Sequence, residues 1–251
     1  MFSRLVDKSW NLAQKIGTYI PFTYWRLIYK NIDLHTENIL DIGCADGDMM
    51  SFINNRHSFC TVGMDIHKPY LLQAKRSLTH SHYFLGDAGK LPFKDKCFDA
   101  VLLLEIIEHL EFNEGKRAIE EAERVARTEV IISTPVAFTK QEAYSGNPHQ
   151  EHRSFWSPAE MRQRGYRVIG IGAFENWLVE NVRSGMLRFA DKVTFKKRTS
   201  SKDGGYSISH AFKMTDFLLR LPYYLIPGPV VYFLPKFAGH MVCIKRLEVK
   251  A

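Results

Sequence analysis

The side chains best suited to chemistry are two carboxylates and an imidazole that lie within five positions of one another. They are Glu105, Glu108 and His109, and they directly follow an apolar run that ends at Leu104. On a short turn such side chains can converge on one side. Carboxylate oxygens and imidazole nitrogens that meet in this way can bind a divalent cation or exchange protons with a substrate.

A second polar segment can complete this set. Residues 147–156 have the composition of a loop and contain His149 and His152. One histidine from this loop, added to the first group, gives two carboxylates and two imidazoles. Such a mixed oxygen and nitrogen set suits a divalent ion that keeps open positions for substrate hydroxyls. An ion in that place could lower the pKa of a hydroxyl group and orient its oxygen, which is Lewis-acid catalysis.

The element that must position these side chains begins at residues 38–50. A short apolar run contains Asp41 near its end, is followed by Gly43 and Gly47, and then continues into helix-forming residues. Glycine takes positive φ without steric cost and allows the backbone to approach a ligand closely. We therefore predict a buried strand, a tight turn and a helix that packs back on a sheet, with a ligand at the strand's carboxyl edge.

Two further strand patterns also end in an acid. Residues 61–66 contain Asp65, about twenty residues beyond the first turn, where a doubly wound sheet places a ribose-binding carboxylate. Residues 83–88 contain Asp87, and residues 97–104 form the nearly continuous apolar run that is typical of a central parallel strand. Three acids that close three successive strands at one edge of a sheet are difficult to explain by packing alone.

With these motifs the chain resembles the class I S-adenosylmethionine-dependent methyltransferases. The matching segments are Leu40–Gly47, Gly63–Asp65, Gly86–Ala88 with Leu91–Phe93, and Phe98–Asp99, in the order and spacing of that family. The chain departs from the pattern at Ala45, where the family often has a glycine, and alanine is the mildest replacement. A nicotinamide-binding Rossmann enzyme is the structural rival, but its pyrophosphate-binding pattern needs a third glycine that is lacking here.

The resemblance implies S-adenosylmethionine as the cofactor and assigns its parts to the strand ends. The first turn would meet the methionine moiety, Asp65 with Ile66 the ribose, and Asp87 with Ala88 the adenine. Glu105 would contact the cofactor from the end of the fourth strand. The predicted cofactor-binding residues are Asp41, Gly43, Cys44, Ala45, Gly47, Asp65, Ile66, Asp87, Ala88 and Glu105.

The segment around His109 also resembles the small-RNA 3′-terminal 2′-O-methyltransferases and the ubiquinone-pathway O-methyltransferases. Those enzymes carry a similar Glu-x-x-Glu-His after the fourth strand and a histidine-bearing loop after the fifth. The resemblance implies a divalent metal, Mg or Zn, with His149 as the reserve for its fourth ligand. The hypothetical metal ligands are Glu105, Glu108, His109 and His152.

Other members of the family carry the same motif with no known metal. In those proteins the glutamate touches the cofactor and the histidine acts as a general base. Both interpretations stay open from the sequence. They share the same predicted catalytic residues, which are Glu105, His109 and His152.

We predict one α/β domain over residues 1–251, with a Rossmann-like, seven-stranded class I methyltransferase sheet and helices on both faces. A charged helix is predicted over residues 115–127 and the fifth strand over residues 130–135. Ser157 followed by Pro158 predicts the start of a later helix. The sixth strand is predicted over residues 166–172, and the last strand, residues 239–246, should run antiparallel beside it.

Two regions extend this minimal fold. Residues 1–35 predict an N-terminal helical cap, in which Tyr19, Tyr24 and Trp25 could close the cofactor pocket or line the acceptor site. Residues 176–237 form an insertion before the last strand, basic in its first part and apolar in its second. One interpretation is that the basic part is a solvated loop and the apolar part covers the sheet. The other is that the basic part binds an anionic surface such as a membrane and the apolar part is a lid over an apolar acceptor.

The composition restricts the class of protein and its partners. A chain of 251 residues that is 45% hydrophobic is long enough for one sizeable core. Its net charge of +7 favours contact with an anionic partner, such as RNA or an acidic membrane. The four cysteines form no Cys-x-x-Cys pair, and no apolar run with a cleavage site opens the chain. We therefore expect a cytoplasmic protein with reduced thiols, in peripheral contact with a membrane if the insertion binds lipid.

The predicted function is S-adenosylmethionine-dependent O-methylation of a small amphipathic or lipid-like acceptor, with no protein partner. The sequence Ser133-Thr134-Pro135-Val136 replaces the Asn/Asp-Pro-Pro-Tyr/Phe motif that is typical of enzymes that methylate amines on bases. The alternatives are an RNA ribose 2′-O-methyltransferase and a non-catalytic S-adenosylmethionine-binding protein. The basic charge favours the first, and the three intact acids at the strand ends argue against the second.

Overall fold

The structure is a computed structural model that describes residues 23–54, 59–137, 140–143, 147–173, 232–235 and 238–248. Most of the predicted N-terminal cap, including Tyr19, and most of the insertion at 176–237 lie outside the described residues. The predicted single domain with these two extensions therefore stays a prediction.

The described residues form seven strands and five helices. They are α1 (Tyr24–Asn31), β1 (Asn38–Ile42), α2 (Asp48–Ile53), β2 (Cys60–Asp65), α3 (Lys68–Arg76), β3 (His82–Leu85), β4 (Phe98–Leu104), α4 (Phe112–Val125), β5 (Ala126–Pro135), α5 (Pro158–Gln163), β6 (Arg167–Ala173) and β7 (Ala238–Arg246). Two single-turn 3₁₀ helices, Ile107–His109 and Pro148–Gln150, lie in the connections that follow β4 and β5.

The strands form one sheet in the order β3-β2-β1-β4-β5-β7-β6. The first five strands pair in parallel, whereas β7 pairs antiparallel with both β5 and β6. The predicted α/β class and the seven-stranded sheet are confirmed. Because β7 runs the opposite way, its amino-terminal end meets the carboxyl ends of β1, β4 and β5 at one edge.

The core lies in two layers, one on each face of the sheet. Alternating residues of β4 divide between them, since Val101 and Leu103 face α4 and α5 while Leu102 faces α1 and α2. Nearly all residues of β1, β4 and β5 are buried, as expected for strands that helices cover on both sides. The two covered faces leave the carboxyl edge of the sheet as the place where a site can open.

The fifth strand begins four residues earlier than the sequence pattern predicts. Helix α4 ends at Val125, and β5 starts at Ala126, so Arg127 is in a strand and not in a helix. The Arg127 guanidinium donates to Asp99 Oδ1 at 2.6 Å, and the Thr128 hydroxyl donates to the carbonyl of Asp99 at 2.6 Å. A register irregularity between Phe98 and Ala100 accommodates these bonds. Pairing with β4 therefore overrides the local helical preference of this charged segment.

Helix α5 begins where its capping residues predict. The Ser157 hydroxyl accepts a hydrogen bond from the amide of Glu160 at 3.1 Å, and Pro158 occupies the first turn. None of the described helices is long and apolar enough to cross a membrane.

Candidate active site

The turn after β1 is held in a left-handed conformation at alternate residues. Gly43, Ala45 and Gly47 have φ values of 71°, 47° and 81°. The amides of Gly43 and Cys44 both donate to the carbonyl of Met64, at 2.7 and 3.0 Å, which fixes the turn against β2. Gly43 also has no room for a side chain, since an added Cβ would lie 1.9 Å from Ile106 Cδ1.

Asp65, at the end of β2, braces this turn from the neighbouring strand. Its carboxylate accepts hydrogen bonds from the amides of Ala45 at 2.9 Å and His67 at 2.7 Å. Burial raises the pKa of this carboxyl group, and the two amide bonds oppose that shift. Asp87 follows β3, where its Oδ1 accepts from the amide of Gly89 at 2.8 Å. Both carboxylates therefore lie at the same edge of the sheet.

A cavity of about 1060 Å³ opens along this edge. Seven of the predicted cofactor-binding residues line it, namely Gly43, Ala45, Asp65, Ile66, Asp87, Ala88 and Glu105. The other three, Asp41, Cys44 and Gly47, are not in its wall. Asp41 Oδ2 lies 3.0 Å from His80 Nε2 behind the turn, and Cys44 is buried there, where desolvation raises the pKa of its thiol. These three residues shape the turn from behind.

Glu105 leaves β4 in a strained conformation. Its φ of 57° is left-handed, which is unfavourable for a residue with a long side chain. Its amide donates to the carbonyl and to the hydroxyl of Ser133, both at 3.0 Å. The same hydroxyl lies 2.6 Å from the hydroxyl of Tyr24, so helix α1 contacts β5 at the residue that holds Glu105. Trp25 instead packs against Phe52 on α2.

The Glu105 carboxylate points toward a histidine of β7. Its Oε2 lies 3.4 Å from His240 Nε2, and His240 lines the cavity at the strand that runs against the others. Its other oxygen, Oε1, is buried and has no hydrogen-bonding partner among the described residues.

Glu108, His109 and His152 converge in the same cavity. One ligand atom of each residue lies within 4.8 Å of the others. The His109 and His152 rings meet edge to face with their centroids 4.8 Å apart. His109 Nδ1 lies 3.1 Å from the carbonyl of Glu151, which can only accept, so Nδ1 carries the proton and Nε2 keeps a lone pair.

The predicted set of four metal ligands is not what the structure brings together. Glu105 faces His240 and is not part of the three-residue cluster, because the strained turn after β4 directs its side chain toward β7. His149 is exposed on the cavity wall, also outside the cluster. The cluster is therefore one carboxylate and two imidazoles.

Burial shifts the protonation of this cluster. Desolvation, followed by the repulsion of Glu105, raises the pKa of the Glu108 carboxyl group well above its usual value. Desolvation also lowers the pKa of His109, which the bond to the Glu151 carbonyl opposes. Glu108 Oε2 is buried with no hydrogen-bonding partner in the described part of the chain. Both shifts favour neutral groups in the unliganded protein. A bound cation would reverse the shift of Glu108 and would favour the same neutral form of His109.

The loop that carries His152 is fastened to the 3₁₀ helix that carries Glu108. The amides of Arg153 and Ser154 donate to the carbonyl of Glu108 at 2.7 and 3.1 Å. The Ser154 hydroxyl and the Trp156 indole both donate to the carbonyl of Ile107, at 2.9 and 3.2 Å. Trp156 is fully buried and lies over Gly115, where an added Cβ would come within 2.5 Å of the indole ring.

Sequence reasoning missed three residues that position the site: His80, His240 and Trp156. Only the direction of β7 could have indicated His240, since an antiparallel last strand brings its first residues to the carboxyl edge. Trp156 follows His152 by four positions, but nothing in that spacing shows that it anchors the loop. The sequence gives no indication of a role for His80, because its partner, Asp41, lies 39 positions away.

Comparison with known proteins points to the methyltransferases. A family model described as a methyltransferase domain matches residues 40–133. The demethylmenaquinone methyltransferase of Thermotoga maritima is 24% identical over 164 residues, which cover 63% of this chain and 69% of that protein. The phthiotriol/phenolphthiotriol dimycocerosates methyltransferase 1 of Mycobacterium ulcerans is 25% identical over 186 residues, which cover 70% of this chain and 66% of that protein. These matches support a class I S-adenosylmethionine-dependent methyltransferase.

This methyltransferase spans about two thirds of the length of those two relatives. Among solved structures, the [4+2]-cyclase SpnF superposes with a TM-score of 0.52 at 17% identity, over 90% of this chain and 80% of that one. That likeness shows the fold and leaves the reaction to the site itself.

The residues of this methyltransferase fit its cofactor. The bare backbone at Gly43, the carboxylates of Asp65 and Asp87, and Glu105 follow one another along the wall of the cavity. A volume of about 1060 Å³ is at the upper limit for small-molecule sites, so it can hold a cofactor with part of an acceptor. The turn after β1, residues 43–47, is called the cofactor turn below. It and the Glu108-His109-His152 cluster both border this cavity.

Proposed function

We propose that this methyltransferase methylates a hydroxyl oxygen of a small amphipathic or lipid-like acceptor. The observation that carries this proposal is the convergence of Glu108, His109 and His152 within 4.8 Å in the cavity that the cofactor turn also lines. A hydroxyl is a poor nucleophile until its proton leaves, and imidazole nitrogens are suited to take that proton near neutral pH.

S-adenosylmethionine, when bound, supplies a methyl group on a positively charged sulfur atom. The chain contributes proximity, because its cofactor turn and its cluster border one cavity. His109 holds Nδ1 against the Glu151 carbonyl and presents the lone pair of Nε2 as a general base. Glu105, paired with His240, places a negative charge beside the acceptor end. The products would be a methyl ether and S-adenosylhomocysteine.

A divalent ion is the alternative form of this proposal, in which Nε2 of His109 would bind the ion and could no longer act as the base. Glu108, His109 and His152 would hold it, and it would lower the pKa of an acceptor hydroxyl as a Lewis acid. The buried, unpartnered Glu108 Oε2 fits this role, as does the orientation of His109 by a carbonyl. Two imidazoles and one carboxylate suit zinc better than magnesium, which prefers an all-oxygen shell.

The relatives support a lipid-like acceptor. The Mycobacterium ulcerans protein is named for dimycocerosates, which are lipids, and the Thermotoga maritima protein for a quinone. The apolar part of the insertion at 176–237 is consistent with such an acceptor by composition, and its basic part with an anionic membrane surface. We keep peripheral membrane contact and a cytoplasmic location as parts of this proposal.

An RNA ribose remains the second candidate, because the same cluster could activate a 2′-hydroxyl and the net charge of +7 favours a polyanion. A single labelling experiment separates the candidates. The purified protein is incubated with methyl-labelled S-adenosylmethionine and whole-cell extract, and the label is counted in organic, RNA and small polar fractions. We expect label in the organic fraction, and label in RNA would replace the lipid proposal with the ribose one.

Variants in the same assay test the cluster. His109→Ala and His152→Ala should each reduce the labelling rate at least about a hundredfold, the usual contribution of a general acid or base. His35→Ala is the matched control, since His35 is exposed ahead of β1 and far along the chain from the cluster. Full turnover in both cluster variants would refute hydroxyl activation by these residues. A zinc titration by calorimetry, with the His152→Ala variant as its control, tests the metal.

A further inference from the structure

A short connection between α3 and β3 lies directly behind the cofactor turn. It spans residues 77–81, of which Thr79 and His80 are buried. The His80 side chain is fully inaccessible, and its Nε2 lies 3.0 Å from Oδ2 of Asp41, whose side chain is 4% exposed. No other hydrogen bond to the Asp41 carboxylate is present in the described part of the chain. A buried carboxylate is costly without a partner, so His80 is what makes this position tolerable.

Neighbouring glycines leave room for this connection. A Cβ on Gly63 would lie 2.9 Å from the His80 ring, and a Cβ on Gly47 would lie 2.0 Å from Thr79 Oγ1. The Thr79 hydroxyl is 2.9 Å from His80 Nδ1, and the Asn54 amide donates to the Thr79 carbonyl at 3.3 Å. The connection therefore contacts both ends of the turn, Asp41 at its start and Gly47 at its close.

We propose that His80 is a positioning residue for S-adenosylmethionine, which acts by holding Asp41 and the turn that follows it. Asp41 then serves as the acceptor for His80 and makes no direct contact with the cofactor. Its absence from the cavity wall supports this assignment, since Gly43 and Ala45 of the same turn do line the cavity. The inference rests on cofactor binding alone and is independent of the acceptor proposed above.

The expected consequence of losing His80 is a turn that binds cofactor poorly. Without the donor, the Asp41 carboxylate would be buried and unpaired, so the start of the turn would move to solvate it. The amides of Gly43 and Cys44 and the bond from Ala45 to Asp65 all depend on that backbone. Chemistry at the distant cluster should change much less than affinity.

The test is calorimetric titration of full-length variants with S-adenosylhomocysteine. His80→Phe keeps a ring of similar volume but removes the donor, and we expect affinity to fall about tenfold or more. His80→Gln retains a donor close to the Nε2 position and should recover affinity to within about threefold of wild type. Asp41→Asn removes the charge but keeps an acceptor for His80, and should also stay within about threefold.

Tyr166→Phe is the matched control, because it too removes a buried donor to a carboxylate, Glu123 at 2.8 Å, but at the start of β6. It should lose stability without losing affinity for S-adenosylhomocysteine. Labelling assays at saturating S-adenosylmethionine should show kcat within about threefold of wild type for His80→Gln.

Two results would overturn the inference. Affinity of His80→Phe within twofold of wild type would reduce His80 to an ordinary core residue. A large loss in Asp41→Asn would show that the Asp41 charge binds the cofactor directly, and this variant decides the question even if His80→Phe fails to fold. If the wild-type protein does not bind S-adenosylhomocysteine, the cofactor assignment itself is refuted. That result differs from a failure of the His80 inference, in which the wild type binds and His80→Phe binds equally well.

Discussion

Gly43 offers a quantitative test of how the cofactor turn is built. In Gly43→Ala two costs add. A residue with a Cβ pays about 1–2 kcal/mol for the left-handed conformation that φ of 71° imposes. The new methyl would also lie 1.9 Å from Ile106 Cδ1 and 2.5 Å from Ile106 Cγ1, an overpacking that costs about 1–3 kcal/mol. We expect the free energy of unfolding to fall by about 2–5 kcal/mol in total.

Urea unfolding monitored by tryptophan fluorescence measures this loss, and a double-variant cycle with Ile106→Ala divides it. In the Ile106→Ala background the clash is gone, so Gly43→Ala should cost only the conformational term of about 1–2 kcal/mol. Ala45→Gly is the opposite control at φ of 47°, since it relieves the same strain and should be neutral or stabilising.

Affinity for S-adenosylhomocysteine should fall with Gly43→Ala as well, because Gly43 is part of the cavity wall. A Gly43→Ala protein that unfolds within about 0.5 kcal/mol of wild type would contradict the reasoning. An equal loss with and without Ile106 would show that backbone strain, and not the clash, explains the effect.

Four further predictions concern the rest of the site. Trp156→Phe removes the indole donor, and should cost about 1–3 kcal/mol in urea unfolding and weaken zinc binding. Arg124→Ala, which loses donors to the Leu91 and Phe93 carbonyls, should speed hydrogen exchange of the connection between β3 and β4. Glu105→Gly should stabilise the fold but reduce labelling turnover. Folding raises the pKa of Glu108 in the metal-free protein. The free energy of unfolding should therefore fall as the pH rises from about 4.5, the ordinary pKa, to the raised pKa of the folded protein. Glu108→Gln should flatten this pH dependence, which urea unfolding measures.

The order of the elements could be predicted because the strands are buried on both faces. Runs such as residues 98–104 are almost continuously apolar because both of their faces are buried, so the local sequence is enough to identify them as strands. The start of β5 could not be predicted in the same way. Arg127 and Thr128 enter the strand through bonds to Asp99 of β4, and a partner 28 positions away leaves no local signal.

In the candidate site too, residues beside recognisable strands could be predicted, whereas pairs that join distant segments could not. The acids at the strand ends and the Glu-x-x-Glu-His motif could be located because each lies next to a recognisable strand. Their partners could not, since the pairs of Asp41 with His80 and Glu105 with His240 join distant segments. Asp41 illustrates this, because its position beside the turn suggests a ligand contact, whereas its pairing with the buried His80 has no signal in the sequence.

Backbone strain indicates which residues of the site are kept for function. Ala45 and Glu105 both have positive φ, and both would be relieved by glycine. At Ala45 the side chain is a methyl group, which carries no chemistry, so Ala45→Gly should only relieve strain. At Glu105 the chain retains a long carboxylate in an unfavourable conformation, with one oxygen buried and unpartnered and the other 3.4 Å from His240. Packing does not explain a strained, half-exposed glutamate, and we therefore propose that its carboxylate is kept for function. The Glu105→Gly prediction therefore has opposite signs for stability and turnover, and loss of stability with unchanged turnover would refute this explanation.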